Sequence, residues 1–347
     1  MNVPGANPLV VQYLYVHEPD EGFSYPTARA GGAAAVAERY LECAVTQFAT
    51  LAYRDVECEP VLVINVADPA RLGRRGAALL AKCEELGARI VATPYTHRPK
   101  PGTEEYVSSR YLLDAILSCT EGLAPARELW LTDLDCVWAD PASTFAAAPP
   151  EGQVGCVFIE YPPDWDPVGF EEVGRTRNAI GELATSMGHP AQAPPWIGGE
   201  LICGTAATLL ELVAACEQLD AELDAEGRTL PTEEQILTLA GAVGRVSFTD
   251  LSAVARRITT GPRSHAPRVS GTRDIGLWHL PSEKGLSMRR TAQELLRGRT
   301  RRLARDLADP DRTARRFNVA RTGPLRRLRD DGWIASQRLR RLVSARA

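Results

Sequence analysis

Asp133 and Asp135 stand one residue apart, directly after the run Glu128-Leu129-Trp130-Leu131-Thr132. A buried strand that releases two carboxylates at its C-terminal end puts hard oxygen ligands on the rim of a sheet. In open α/β folds that rim is where ligands bind. Two Asp on either side of a bend can hold Mg²⁺ or Mn²⁺, and such an ion can grip a diphosphate. The chain continues as Cys136-Val137-Trp138-Ala139-Asp140-Pro141, apolar and then abruptly turn-like.

Other residues of suitable chemistry follow a definite order along the chain. Ser108-Ser109-Arg110-Tyr111-Leu112-Leu113 puts an Arg near the start of the helix that leads to the Asp strand. Trp196-Ile197-Gly198-Gly199-Glu200-Leu201-Ile202-Cys203 has glycines inside an apolar run, which suits close approach of a ligand to the backbone. Thr232-Glu233-Glu234-Gln235-Ile236-Leu237 and His279-Leu280-Pro281-Ser282-Glu283-Lys284-Gly285 complete the set. Each has a structural reading too. Thr232 and Gln235 form a capping box, which would leave Glu233 and Glu234 pointing outward in the first turn. His279 next to Trp278 suits a satisfied core histidine, Arg110 a surface cation, and Gly198-Gly199 close helix packing.

The elements that must position these residues alternate. Leu9–Val16, Val61–Val66 and Ala88–Thr93 read as buried strands; Ala33–Ala52, 73–86 and 104–119 read as helices between and after them. Strands interleaved with helices give a parallel sheet with right-handed crossovers. The second half is less regular. It has strands at Val154–Tyr161, Trp196–Cys203, Arg245–Thr249 and Ile275–Leu280, with helices at 176–187, 205–225 and 232–242. Loops fill 162–175, 188–195 and 259–274.

Taken in order, these four elements resemble the GT-A fold glycosyltransferases, most closely the retaining, galactosyltransferase-like family 8. The resemblance spans roughly residues 9–285. It implies an α/β fold, a GT-A-like Rossmann-type sheet flanked by helices, and transfer of a sugar from a nucleoside diphosphate sugar with Mn²⁺ or Mg²⁺. By the same resemblance Asp133 and Asp135 hold the metal and His279 completes its shell. Asp133, Arg110 and Lys284 serve the diphosphate donor. The chain reads Glu233-Glu234-Gln235 where the family usually has acidic-Gln-acidic, and its His-to-Lys spacing of five residues is slightly shorter than usual.

The chemistry suits those residue types, since a departing nucleoside diphosphate needs a divalent ion and fixed cations aimed at it. Glu200 and Glu234 are the candidates for the acceptor side or the anomeric side, in an inverting or a retaining reaction. Tyr25, in the loop after the first strand, is the expected stacking partner for the base. The acceptor is not specified.

Two other readings of the Asp pair stay open. Asp133-Leu134-Asp135-Cys136-Val137 also matches the nucleophile strand of haloacid-dehalogenase-like phosphatases, with Asp133 attacking phosphate and Asp135 as acid/base. That needs a downstream Lys and a paired acidic motif. Lys284 is the single lysine after the motif, and the acids beyond it, Asp306, Asp309 and Asp311, fall in an Arg-rich tail. The third reading is a non-enzymatic scaffold that binds polyanions or membranes.

Charge supports a division near residue 288, with a GT-A-like domain over 1–288 and an Arg-rich amphipathic helical extension over 289–347. Residues 289–347 hold 18 Arg against 6 Asp/Glu, a balance of +12, while 22 Lys/Arg against 38 Asp/Glu leave 1–288 at −16. In the extension Ala292, Leu295, Leu296, Leu303 and Leu307 share one face, and a second stretch from Leu325 carries Trp333. An anionic membrane surface or lipid-linked acceptor, packing on the acidic body or on another copy, and another polyanion all suit this pattern. Nucleic acid does not, because the tail has no helix-turn-helix or finger and the acidic body would repel a duplex. Eight scattered cysteines without a Cys-x-x-Cys pair indicate reduced core thiols. No N-terminal signal and no span of about 18 apolar residues is visible. The expectation is a cytoplasmic protein in peripheral contact with the inner face of the membrane.

Overall fold

The computed structural model describes residues 7–18, 32–99, 107–164, 176–189, 193–258, 260 and 275–319. The first half alternates as expected: β1 (Leu9–Leu14), α1 (Ala33–Ala52), β2 (Glu59–Ile64), α2 (Gly73–Glu85), β3 (Arg89–Ala92), α3 (Tyr111–Thr120) and β4 (Glu128–Thr132). The helix expected over 104–119 is described from 107, where a 3₁₀ turn at Val107–Arg110 precedes α3. The second half contains β5 (Cys136–Trp138), α4 (Pro141–Phe145), β6 (Val154–Ile159), α5 (Arg177–Ser186) and β7 (Trp196–Thr205). It continues with α6 (Ala206–Ala225), α7 (Glu233–Ala242), β8 (Phe248–Asp250), β9 (Ala255–Arg257) and β10 (Leu277–His279). The strand expected at Arg245–Thr249 starts three residues later, as β8, because Gly244 turns the chain at φ 70° after α7.

A seven-stranded sheet runs β3-β2-β1-β4-β7-β6-β8, and a small second sheet runs β5-β10-β9. The strands β3, β2, β1 and β4 are parallel, with Leu9 opposite both Glu59 and Leu129. β7 is antiparallel to β4 and to β6. The chain therefore winds outward from β1 in two directions, and the C-terminal ends of β1 and β4 mark the switch point at which such sheets bind ligands. The mostly parallel α/β class expected from the sequence holds.

Both faces of the sheet are covered, which is why its central strands read as continuous apolar runs. Every residue of β1 is buried. Val10 and Leu14 join one core with α1 and α2, while Leu9, Val11 and Tyr13 join the other with α3, α5, α6 and α7. The tail helices α8 (Arg289–Leu296), α9 (Thr300–Ala308) and α10 (Pro310–Arg316) extend the first core. Leu295, Leu303, Leu307 and Phe317 are buried there, and Arg54 at the end of α1 donates to Thr313 Oγ1 at 3.0 Å. The apolar stripe of 289–316 thus faces the protein. All eight cysteines are free and seven are buried. Among the described residues no helix is long and apolar enough to cross a membrane.

Candidate metal and donor site

The small sheet closes the distance between the two ends of the chain's chemistry. β10 pairs antiparallel with β5, which sets His279 opposite Cys136, the residue after Asp135. Leu280 N–H donates to the Asp135 carbonyl at 2.9 Å, locking the register next to the site. On its other side β10 runs parallel to β9, which sets His279 opposite Arg257. From the main sheet, Thr132 pairs with Leu201 and Asp133 N–H donates to the Glu200 carbonyl at 3.2 Å. Asp133, Asp135, Glu200, His279 and Arg257 are therefore brought together by backbone pairing, before any side chain contributes.

Side-chain geometry at that point suits a divalent ion. One ligand atom each from Asp133, Asp135 and His279 lies within 4.8 Å of the other two. His279 Nε2 is 3.1 Å from Asp135 Oδ2 and 3.5 Å from Asp133 Oδ2. Two carboxylates and an imidazole are an oxygen-rich donor set with one borderline nitrogen, a combination that Mn²⁺ accepts and Mg²⁺ tolerates. Asp135 is buried, while Asp133 keeps 30% of its side-chain surface open. The Tyr13 hydroxyl stands 3.4 Å from Asp133 Oδ1 at the end of β1.

Electrostatics point the same way. Burial pushes the Asp133 carboxyl up, and repulsion from Asp135 and Glu200 adds to this against the pull of His279 and Lys284, leaving it at about 6. Burial also disfavours the charged form of Asp135, but Lys284 and His279 together hold it well below the usual carboxylate range. Burial opposes charge on His279, and Asp135, Glu200 and Asp133 overcome it, raising it to about 9. Metal ligation there would displace a proton.

Lys284 sits where a phosphate-binding cation would be useful. Its Nζ is 3.1 Å from Asp135 Oδ2 and 4.8 Å over the Tyr40 ring. Arg110 lies elsewhere: its guanidinium is 2% exposed and ion-pairs with Asp220 of α6 at 2.5 Å. Tyr25 and the stretch from Leu325 fall outside the described residues.

Glu200 and Glu234 meet at a residue that the sequence reading did not single out. Arg257 Nε donates to Glu200 Oε1 at 2.5 Å, Nη2 to Glu234 Oε1 at 3.0 Å and Nη1 to the Tyr161 hydroxyl at 2.9 Å. Burial would raise the Glu200 carboxyl, but Arg257 and His279 bring it down to about 2. Glu200 Oε1 also faces His279 Nδ1 at 3.4 Å, the nitrogen away from the aspartates. A carboxylate behind a metal-ligating histidine fixes the ring's orientation and raises its basicity. Trp196 Nε1 donates to Glu234 Oε2 at 2.7 Å. The signal for Arg257 was weak, because β9 has three residues, too few to show alternation, in a chain rich in arginine.

The capping box at Thr232 forms in full: Thr232 accepts from Gln235 N–H, and the Gln235 side chain accepts from Thr232 N–H. Its expected corollary does not follow. Glu233 and Glu234 turn inward, with Glu233 8% exposed and the Glu234 side chain 16%. The twin glycines explain how. A Cβ on Gly198 would run into the Glu200 carboxylate, and one on Gly199 would lie 2.5 Å from Glu233 Oε1. The space the glycines leave is filled by this chain's own carboxylates. Burial and the neighbouring Glu234 raise the Glu233 carboxyl to about 8, and Ser109 opposes them. The acids that a phosphatase would require downstream are engaged with arginines: Asp306 with Arg302 at 3.9 Å and Asp309 with Arg312 at 3.4 Å.

No family model and no curated protein matches the chain. Among solved structures it is similar in fold to the galactosyltransferase LgtC in complex with donor and acceptor sugar analogues, at 10% identity and a TM-score of 0.49. That likeness covers 84% of this chain and 95% of that one. An active-site mutant of LgtC is similar at 12% identity and a TM-score of 0.46, over 79% and 87% of the two chains. The WbbM bifunctional glycosyltransferase is similar at 10% identity and a TM-score of 0.44, over 80% of this chain and 46% of that one.

Proposed function

We propose that this protein is a metal-dependent glycosyltransferase that moves a sugar from a nucleoside diphosphate sugar to an acceptor. The observation that carries the reading is the convergence of Asp133, Asp135 and His279 within 4.8 Å at the end of β4, with Lys284 Nζ against Asp135. A bound Mn²⁺ or Mg²⁺ would neutralise charge that develops on the leaving diphosphate. Lys284 adds a fixed cation on the same side and exchanges its contact with Asp135 for a phosphate oxygen when donor binds. Glu200 holds His279 from behind. Glu234 is more open than Glu200 and is the residue we assign to the anomeric or acceptor side, with Arg257 setting its position. Arg110 reaches the donor in this reading only if it releases Asp220, and Tyr25 stacks on the base.

Residues 1–288 carry the transfer chemistry in this reading, and 289–347 form a basic extension to a cytoplasmic enzyme that contacts an anionic membrane peripherally. Because Leu295, Leu303 and Leu307 are buried against the protein, contact through α8–α10 would use guanidinium–headgroup pairing, not insertion of leucines.

The test is thermal shift of the full chain against a panel of nucleotide sugars, with and without Mn²⁺. Stabilisation by one nucleoside diphosphate sugar that needs the metal is the expected result and also names the donor. A flat panel, together with turnover of a generic phosphate ester, would replace the transferase with the phosphatase.

A further inference from the structure

A second concentration of charge lies away from the aspartates. A groove of about 1280 Å³ opens between the turn at Gly285–Ser287 and helices α8–α10, and eight arginines and two carboxylates line it. Both carboxylates are already committed. Glu294 takes Arg290 at 3.0 Å and Arg316 at 2.7 Å, while Asp306 takes Arg302 and Arg316 at 3.9 Å and Arg312 at 4.0 Å. Arg299, Arg301 and Arg315 have no carboxylate within ion-pair distance among the described residues, and all three are exposed.

Eight guanidiniums around one concavity repel each other, and the helices that carry them cannot spread apart. Leu295, Leu303 and Leu307 pin them to the core from the opposite face. An arrangement held against its own repulsion is completed by an anion. Eight arginines face two carboxylates in the lining. Outside it, Glu42 pairs with Arg289 at 3.8 Å and Asp309 with Arg312 at 3.4 Å, which leaves a formal excess of four positive charges. At about two negative charges per phosphate, that excess matches about two phosphate groups. Guanidinium forks fit phosphate oxygens bidentately. The lining argues against other occupants. Leu286 is its one large apolar side chain, so a protein partner finds little to anchor on. No aromatic side chain lines it, so nucleic acid bases have nothing to stack on.

We propose that this groove is a binding site for clustered phosphate groups, presented by a small polyphosphorylated ligand or by phosphate-bearing lipid headgroups. The inference does not depend on the transferase reading. Calorimetric titration of the full chain with tripolyphosphate tests the site. Co-sedimentation with phosphatidylcholine vesicles, with and without a phosphatidylinositol bisphosphate, distinguishes the two sources. Saturable binding in either arm is expected, weakening by about tenfold or more in the variant Arg299→Glu/Arg301→Glu/Arg315→Glu. The neutral variant Arg299→Gln/Arg301→Gln should weaken it less, with an unchanged thermal melt. Two controls set the frame: Asp135→Asn, and Arg71→Glu/Arg74→Glu/Arg89→Glu, which makes the same charge change at exposed arginines outside the groove lining. Both should bind within about twofold of the parent. Absence of binding in both arms, equal losses from the two charge reversals, or loss in Asp135→Asn would each overturn the proposal.

Discussion

His279 Nε2 stands 3.1 Å from Asp135 Oδ2 although 144 residues separate them, and Lys284 Nζ reaches the same oxygen at 3.1 Å. One buried carboxylate thus organises two cations. The backbone around it is secured independently, by the β5–β10 pairing and the Leu280–Asp135 hydrogen bond. Asp135→Asn keeps the side-chain shape and removes the charge. Sugar transfer should fall by at least about 10³-fold, the scale of losing a group that binds a catalytic metal. The far-UV circular dichroism spectrum should be unchanged. Near-normal turnover in this variant would sink the metal assignment.

Arg257 is the second point of control. It is the shared partner of Glu200, which is 1% exposed, and of Glu234. Arg257→Ala leaves Glu200 as a buried carboxylate with His279 as its remaining ion partner. Stranding one partner of a fully buried pair costs about 3–5 kcal/mol, and the 32% exposure of Arg257 places the loss below that range. Arg257→Lys restores the charge but can engage only one of the two carboxylates well. The expected order of melting temperature is parent, then Lys, then Ala. For kcat the Lys variant should already show most of the loss, because the relative placement of Glu200 and Glu234 is gone. Equal kcat in parent and Lys variant would remove Arg257 from the site.

Much of this arrangement can be read from the chain before folding, and the remainder fails for identifiable reasons. The helix Ala33–Ala52 and the strand at 128–132 emerge with their expected bounds because each is long, or flanked by breakers, and has one clear period. The Asp pair is legible because two carboxylates directly after a buried strand stand out, whereas His279 reaches it through the β5–β10 pairing. β5 and β9 stay invisible, since three residues carry no period. Arg257 stays hidden with β9. The inward turn of Glu233 and Glu234 is also unreadable locally: a capping box ordinarily leaves its first turn in water. Here β7 passes close enough, through Gly198 and Gly199, to bury that turn.

Those glycines make a sharp test of the packing. Gly198 has ordinary backbone angles, so Gly198→Ala would be tolerated if the position only lacked a side chain. Instead its methyl would collide with the Glu200 carboxylate and with Ile159. Glu200 cannot retreat easily because Arg257 and His279 hold it. A loss of about 1–3 kcal/mol is expected, the range for overpacking a tight site, measured by urea denaturation. Metal-dependent donor binding should weaken in parallel, since His279 loses its support. A variant as stable and active as the parent would mean that Glu200 is not fixed where it is seen.

The last prediction concerns pH at the segment that follows β3. His97 is held between two acids, with Nδ1 2.9 Å from Asp114 Oδ1 and Nε2 3.0 Å from Glu217 Oε1. The hydrogen bond that His97 donates to the Asp114 carboxylate is the largest influence on it and raises its pKa against the effect of burial. Burial disfavours the charged form of Asp114, yet the bonds from His97 and Thr96 keep its carboxyl below the usual range. A histidine whose folded pKa is raised contributes its full stabilisation below the ordinary histidine value near 6.5. That contribution disappears as pH rises through the raised value. His97→Gln should therefore be less stable than the parent at pH 6 by about 1–2 kcal/mol, and the gap should narrow steadily above neutral pH. Glu217 is more than half exposed, so most of the effect belongs to Asp114. The same segment carries Tyr95 and Arg98. The Arg98 guanidinium lies 5.2 Å from the Tyr15 ring centroid, just beyond the end of β1. Loss of the His97 clasp at high pH should loosen the packing of Arg98 and Tyr95 on Tyr15. Urea melts of parent and variant across pH 6 to 9 decide the matter: a gap that stays constant or widens with pH would show that His97 is not held as a cation.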